Sequence, residues 1–232
     1  MMPNIFSSFD VYESSSSFLS SKITILLLFI LLFLSMMSYL WVSNNRKSSC
    51  ISSPMNIMYM QLSRTNSKYM KGYTIVISTM FLLIIMVNLM GMIPYSFSIS
   101  THLLFTLTLG LPLWLTIIMS SFMYSKKQFI GKLLPDGAPD WLNPFLVLIE
   151  TVSISVRPLT LSFRLGANMS AGHIVLSLLG TYLALAMSSS TISTILLMMI
   201  STGYILFEFA ICLIQAYIFC LLLSLYTDDH TN

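Results

Sequence analysis

Long uncharged apolar stretches dominate the chain, and their lengths and interruptions predict its elements. The run 23–42, between Lys22 and Arg46, carries no charge and suffices for one membrane span of about 20 residues. Between Lys71 and Lys126 there is again no charged residue. That stretch is broken at Gly91-Met92-Ile93-Pro94 and near 98–101, so it predicts two spans, 72–93 and 102–124. After the turn-forming Pro135-Asp136-Gly137-Ala138-Pro139, residues 143–226 are apolar and helix-compatible. Pro144 is placed to open a helix, and Ser188-Ser189-Ser190 to divide this region into 143–187 and 191–226. The first of these would be roughly 65 Å long at 1.5 Å per residue, against a hydrocarbon core of about 30 Å. It must tilt, kink or be interrupted, and Pro158 is the candidate kink because it lacks a backbone donor.

The expected fold is therefore an all-α membrane protein forming a single domain over 1–232. It comprises a polar lead-in (1–22), three ordinary transmembrane helices, a short surface helix (54–71) and a long, steeply inclined carboxy-terminal helical hairpin.

Composition agrees with a chain built for lipid. Of 232 residues, 56% are hydrophobic and 8% charged, against about 25% charged in a soluble domain. This excludes a soluble enzyme, and a net charge of +3 is too weak a bias for a nucleic-acid partner. The placement of the basic residues orients the spans. Arg46, Lys47, Arg64, Lys68 and Lys71 follow the first span, and Lys126, Lys127 and Lys132 follow the third, while 94–101 carries none. By the positive-inside rule the first and third connections face the matrix or cytoplasm, the amino terminus faces out, and five crossings leave the carboxy terminus inside. Arg64, Lys68 and Lys71 recur at helical spacing, which fits a helix lying on the membrane and equally a solvated basic loop. The first 21 residues contain Asp10 and Glu13 but no base, the opposite of a transit peptide. Cys212 and Cys220 lie in an apolar run and are expected to pack as small hydrophobes; no metal-ligand spacing is present.

The hairpin nevertheless contains Glu150, Arg157, Arg164 and Glu208. An arginine at a helix centre in lipid costs about 2.5–3.5 kcal/mol on the insertion scale. Glu150, Arg157 and Arg164 are seven residues apart and drift only about 20° per step, so they share a stripe. Glu208 and Gln215 share a face in the same way. Asn168 lies one turn beyond Arg164, whereas His173 falls on roughly the opposite side. Two explanations stand: ion pairs that tie the helices together, which are seldom net stabilising, or a transport path. Glutamate and histidine can exchange protons and arginine cannot, so the row suggests a proton route with a barrier in it.

The run Ser162-Phe163-Arg164-Leu165-Gly166-Ala167-Asn168-Met169-Ser170-Ala171-Gly172-His173 closely resembles the Arg-Leu-x-x-Asn-x-x-Ala-Gly-His signature of the ATP synthase subunit a family. Glu208-Phe209-Ala210-Ile211-Cys212-Leu213-Ile214-Gln215-Ala216-Tyr217 is similar to that family's second hallmark. Asn88-Leu89-Met90-Gly91-Met92-Ile93-Pro94, Pro112-Leu113-Trp114, Leu134-Pro135-Asp136-Gly137 and Ile149-Glu150-Thr151 match in order. The resemblance implies a proton-channel subunit of the mitochondrial inner membrane with no cofactor and no ATP chemistry of its own. No phosphate-binding Gly-x-x-x-x-Gly-Lys-Ser/Thr loop occurs in the chain. It implies as partners a ring of c subunits, the peripheral-stalk subunit b, small membrane subunits, the bilayer and protons. Arg164 would face the ring carboxylates and separate two half-channels. His173 and Glu208 would line the inlet, Asn168 and Gln215 would lie near the arginine, and Glu150 and Asp229 would belong to the outlet toward the matrix. Arg157 departs from the animal pattern and is expected to snorkel outward. A secondary transporter would carry an internal repeat, which this sequence lacks.

Overall fold

The computed structural model describes residues 46–93, 98–134 and 140–231. The expected lead-in 1–22 and first span 23–42 lie outside the described residues. Within them the chain is all-helical, without strands: α1 (Arg46–Leu62), α2 (Tyr73–Gly91), α3 (Leu103–Tyr124), α4 (Lys126–Lys132), α5 (Asn143–Ser189) and α6 (Thr191–Thr231). Four of these, α2, α3, α5 and α6, have the length and apolarity to cross a membrane. α2, α3 and α5 lie over the runs 72–93, 102–124 and 143–187, and α6 starts at Thr191 and runs on past 226 to Thr231.

α5 has 47 residues, or about 70 Å of helix. Pro144 sits in its first turn, and the helix continues through Pro158, which is buried. A single extended residue, Ser190 (φ −158°, ψ 145°), separates it from α6. The many serines and threonines do not break these helices, because most of their hydroxyls donate to a carbonyl one turn back. Ser162 Oγ to Leu159 O (2.9 Å) and Thr181 Oγ1 to Leu178 O (2.8 Å) are examples. That arrangement satisfies a polar group where no water is at hand.

The basic segment after α1 differs from the expected helix over 54–71. α1 ends at Leu62, and the chain turns there: Ser63 Oγ donates to Met60 O (2.8 Å) and Thr65 Oγ1 to Leu62 O (2.9 Å). A short 3-10 turn, Asn66–Tyr69, follows, and Gly72 (φ 81°) leads into α2. Arg64, Lys68 and Lys71 thus share no helical stripe. Local hydroxyl bonds compete with helix at this Ser/Thr-rich point. A distant contact captures the turn as well, since Asn66 N donates to Asp228 Oδ1 at 2.6 Å.

The core joins all the long helices. Leu62, Ile77, Ile117, Leu165 and Cys220 are essentially inaccessible within it. α3 and α5 approach closely through small residues. Gly110 faces Leu161 Cδ2 and Ser162 Cβ, at 3.5 and 3.7 Å from where its Cβ would lie, and Gly166 faces Thr106 Oγ1 at 3.6 Å. Small residues at a crossing let apolar helices pack without a hydrophobic driving force. The opposite faces of the hairpin stay apolar and open: Leu206 is 72% and Met199 74% exposed, which suits lipid rather than water.

Candidate functional site

The α3 contact decides which way the charged stripe of α5 points. Leu161, Ser162, Leu165, Gly166 and Met169 are buried, so Phe163, Arg164, Ala167, Asn168 and Ala171 are exposed on the other side. α6 runs antiparallel to α5, and the two enclose an open cleft of about 510 Å³ lined by Arg164, Asn168, Gly172, Tyr204, Glu208 and Gln215, among others. Asn168 Nδ2 donates to Gln215 Oε1 at 2.9 Å. One turn on, Cys212 Sγ meets Met169 Sδ at 3.6 Å. Next, Glu208 lies against Gly172, where a Cβ would come within 2.8 Å of the glutamate Cδ. The glycine is therefore the cradle that admits the carboxyl between the helices.

Glu208 is 3% exposed, and neither carboxylate oxygen has a protein partner among the described residues. Arg164 has no acid beside it among the described residues either. Eight residues, or about 12 Å along the helix, separate Arg164 from Gly172. The Asn168–Gln215 pair lies between the guanidinium and the buried glutamate. Four of the sequence-selected residues (Arg164, Asn168, Glu208 and Gln215) thus come together around one cleft.

His173 does not join them there. It is half-buried on the side of α5 facing α2, with Nε2 3.8 Å from where a Cβ on Gly91 would lie. Asn88, one turn before Gly91, is fully buried, and both atoms of its amide are unpartnered among the described residues; so are His173 Nε2 and Ser100 Oγ. A buried polar group left unsatisfied costs about 1–3 kcal/mol, and in native proteins such groups are met by ordered water. Asn88 and Gly172 were not among the sequence-selected site residues. Their signals were present: Asn88 shares a helical face with Gly91 at i+3, and Gly172 directly precedes His173.

Toward the other end of the hairpin a second cluster forms. Arg157 Nη1 is 3.2 Å from Asp229 Oδ2, Arg157 Nη2 is 3.7 Å from Glu150 Oε1, and the guanidinium carbon stands 5.3 Å from the Tyr226 ring centroid. Glu150 and Asp229 therefore meet across the hairpin, and Arg157 does not snorkel outward alone but joins them. The acids are 37% and 60% exposed; ion pairs this open contribute on the order of 1 kcal/mol or less each. Both ion pairs of the hairpin among the described residues go to Arg157, so mutual pairing within the hairpin does not explain Arg164.

Residues 18–228 match the family model described as ATP synthase A chain. The chain is 47% identical over 174 residues to ATP synthase subunit a of Albinaria caerulea, covering 75% of this chain and 80% of the relative. Against ATP synthase subunit a of Artemia franciscana it is 35% identical, over 99% of this chain and 100% of the relative. Against that of Drosophila melanogaster it is 34% identical, over 99% of both.

Proposed function

The chain belongs to the ATP synthase A chain family, and from that premise we propose that it carries protons through the membrane sector of a rotary ATP synthase by two half-channels separated at Arg164. Its setting is the mitochondrial inner membrane, which it crosses several times with the amino terminus toward the intermembrane space. Its partners are a ring of c subunits, the peripheral-stalk subunit b and small membrane subunits, and ATP is made on other subunits.

One observation carries this reading. Arg164 stands on an apolar, outward face of α5 with no acid beside it among the described residues, although two acids of the same hairpin serve Arg157. A permanent cation in such a place calls for a counter-charge from outside the chain. A carboxylate carried past on a rotor supplies one. The guanidinium keeps its charge where an ammonium would lose a proton, so each ionised carboxylate is attracted and then released only by protonation. Protons arrive through His173 and Glu208, pass Asn168 and Gln215 beside the arginine to reach the ring, and after rotation leave by way of Glu150 and Asp229. Because Arg164 cannot relay a proton, the inlet and outlet communicate only through the moving ring.

The test is proximity in the assembled enzyme. Ala167, exposed one turn from Arg164, is replaced by cysteine, and a second cysteine is placed beside the ring carboxylate. With Cys50 replaced by serine, the expected result is a disulfide on mild oxidation; the other native cysteines, Cys212 and Cys220, are fully buried and do not compete. Absence of the bond at that position, with bond formation from the α3 side of α5 instead, would overturn the assignment of this face.

The unpartnered amide of Asn88 supports a hydrated inlet on the His173 side. Asn88→Leu is nearly isosteric and removes two unsatisfied buried atoms, so assembly and stability are expected to hold or improve. Proton-driven synthesis is expected to fall several-fold. Unchanged synthesis would remove Asn88 from the inlet.

A further inference from the structure

Arg157, paired with both outlet acids, is the strongest charged group that the proposed function leaves without a role. Glu150 lies two turns into α5 and Asp229 at the end of α6, so 79 positions of sequence separate two acids that the fold brings to one guanidinium. Two carboxylates this near each other repel unless a cation stands between them. The guanidinium cannot give up its proton, so it holds the acids without competing for their task. A cation–π contact with the Tyr226 ring, 5.3 Å from guanidinium carbon to ring centroid, helps to hold it there. The next carboxylate along α6, that of Asp228, is engaged elsewhere, accepting from Asn66 N, which leaves Asp229 as the acid of this helix end that faces the arginine. Arg157 also sits seven residues from Arg164 on the same helix, about 10 Å toward this end.

We propose that Arg157 is a positioning residue of the outlet: it draws Glu150 and Asp229 from the two helices into one proton-accepting site on the path away from Arg164. The inference rests on the proposed function, and the acids are the groups that receive the proton. Arg157 sets their separation and orientation and is not itself protonated or deprotonated in the cycle.

The experiment uses the assembled synthase in sealed membrane vesicles, with Arg157→Gln, Arg157→Lys and the double variant Glu150→Gln/Asp229→Asn measured beside Arg164→Gln. Arg157→Gln is expected to assemble in normal amount and to lower proton-driven synthesis about tenfold, the scale of a displaced reacting group. Arg157→Lys, which keeps a cation with poorer geometry, is expected to recover part of that loss. The double amide variant retains oxygen acceptors for the guanidinium, so a purely structural clasp survives in it and would keep synthesis normal. The proposal predicts instead a loss at least as large as that of Arg157→Gln. Adding Arg157→Gln to the double variant is expected to cost nothing more, because the residues act as a unit. Normal synthesis in Arg157→Gln, or normal synthesis in the double amide variant, overturns the inference. If Arg164→Gln alone proves active, the underlying function fails; if Arg164→Gln is dead and the Arg157 set is normal, only this inference does.

Discussion

Arg164→Gln is expected to abolish proton-driven ATP synthesis in a synthase that still assembles. The side chain is exposed and makes no ion pair among the described residues, so its loss removes no contact on which folding depends. Substitutions at such positions usually change stability by no more than about 0.5 kcal/mol. The neighbours that hold α5 in place, Leu161, Leu165 and Gly166, are untouched and face the other way. On the proposed mechanism, what disappears is the charge that would attract the rotor carboxylate and block direct passage between inlet and outlet. The variant is expected to lose synthesis entirely and to leak protons across the membrane sector, and quantifying assembled complex beside synthesis rate separates this from misfolding. Arg164→Lys is expected to restore little, since an ammonium in low dielectric sheds its proton. Normal synthesis in Arg164→Gln would refute the mechanism, and a loss no greater than that of Arg157→Gln would mean that the wrong arginine had been assigned the central role.

A further large loss is expected from a single methyl group at Gly172. In a helix interior alanine is favoured over glycine by about 1 kcal/mol, so on backbone grounds Gly172→Ala should stabilise α5. The Cβ, however, would fall within 2.8 Å of Glu208 Cδ, well inside contact distance. The glutamate tip is the part that can yield, so the hairpin is expected to stay folded while the carboxyl is pushed out of its cradle. Proton-driven synthesis should drop at least about tenfold, as for other misplaced reacting groups. Gly172→Ala combined with Glu208→Asp, which withdraws the carboxyl by one methylene, is expected to run faster than Gly172→Ala alone. Full activity in Gly172→Ala, or no benefit from the shorter acid, would show that the close approach of Glu208 to α5 has no bearing on proton transfer.

Much of this molecule was legible from its residues. A charge-free run between Lys71 and Lys126 marked α2 and α3, and long apolar runs with few charges marked the two hairpin helices, because burying an ion in lipid is so unfavourable that its scarcity is informative. Pro144 and the serine triplet placed the ends of α5. Seven-residue spacing placed Glu150, Arg157 and Arg164 on one stripe, and Glu208 with Gln215 on another. The basic segment around Arg64 misled, because its spacing suggested a helix where local hydroxyl bonds and the distant Asp228 hold a turn. The immediate neighbours of Arg157 do not reveal its setting, because its partner on α6 lies 72 residues away.

That contrast marks the division between the two sources. The sequence by itself determined that this chain lives in a membrane, that it is helical, and that a few ionisable groups lie on defined helical faces, because composition and a period of 3.6 residues are properties of a single segment. Only the tertiary structure decided which arginine meets the acids and which has none beside it among the described residues. Arg157 and Arg164 occupy nearly the same stripe, so periodicity cannot tell them apart. The antiparallel register of α5 against α6, together with the small-residue contact at Gly110 and Gly166, sets one opposite Asp229 and turns the other outward.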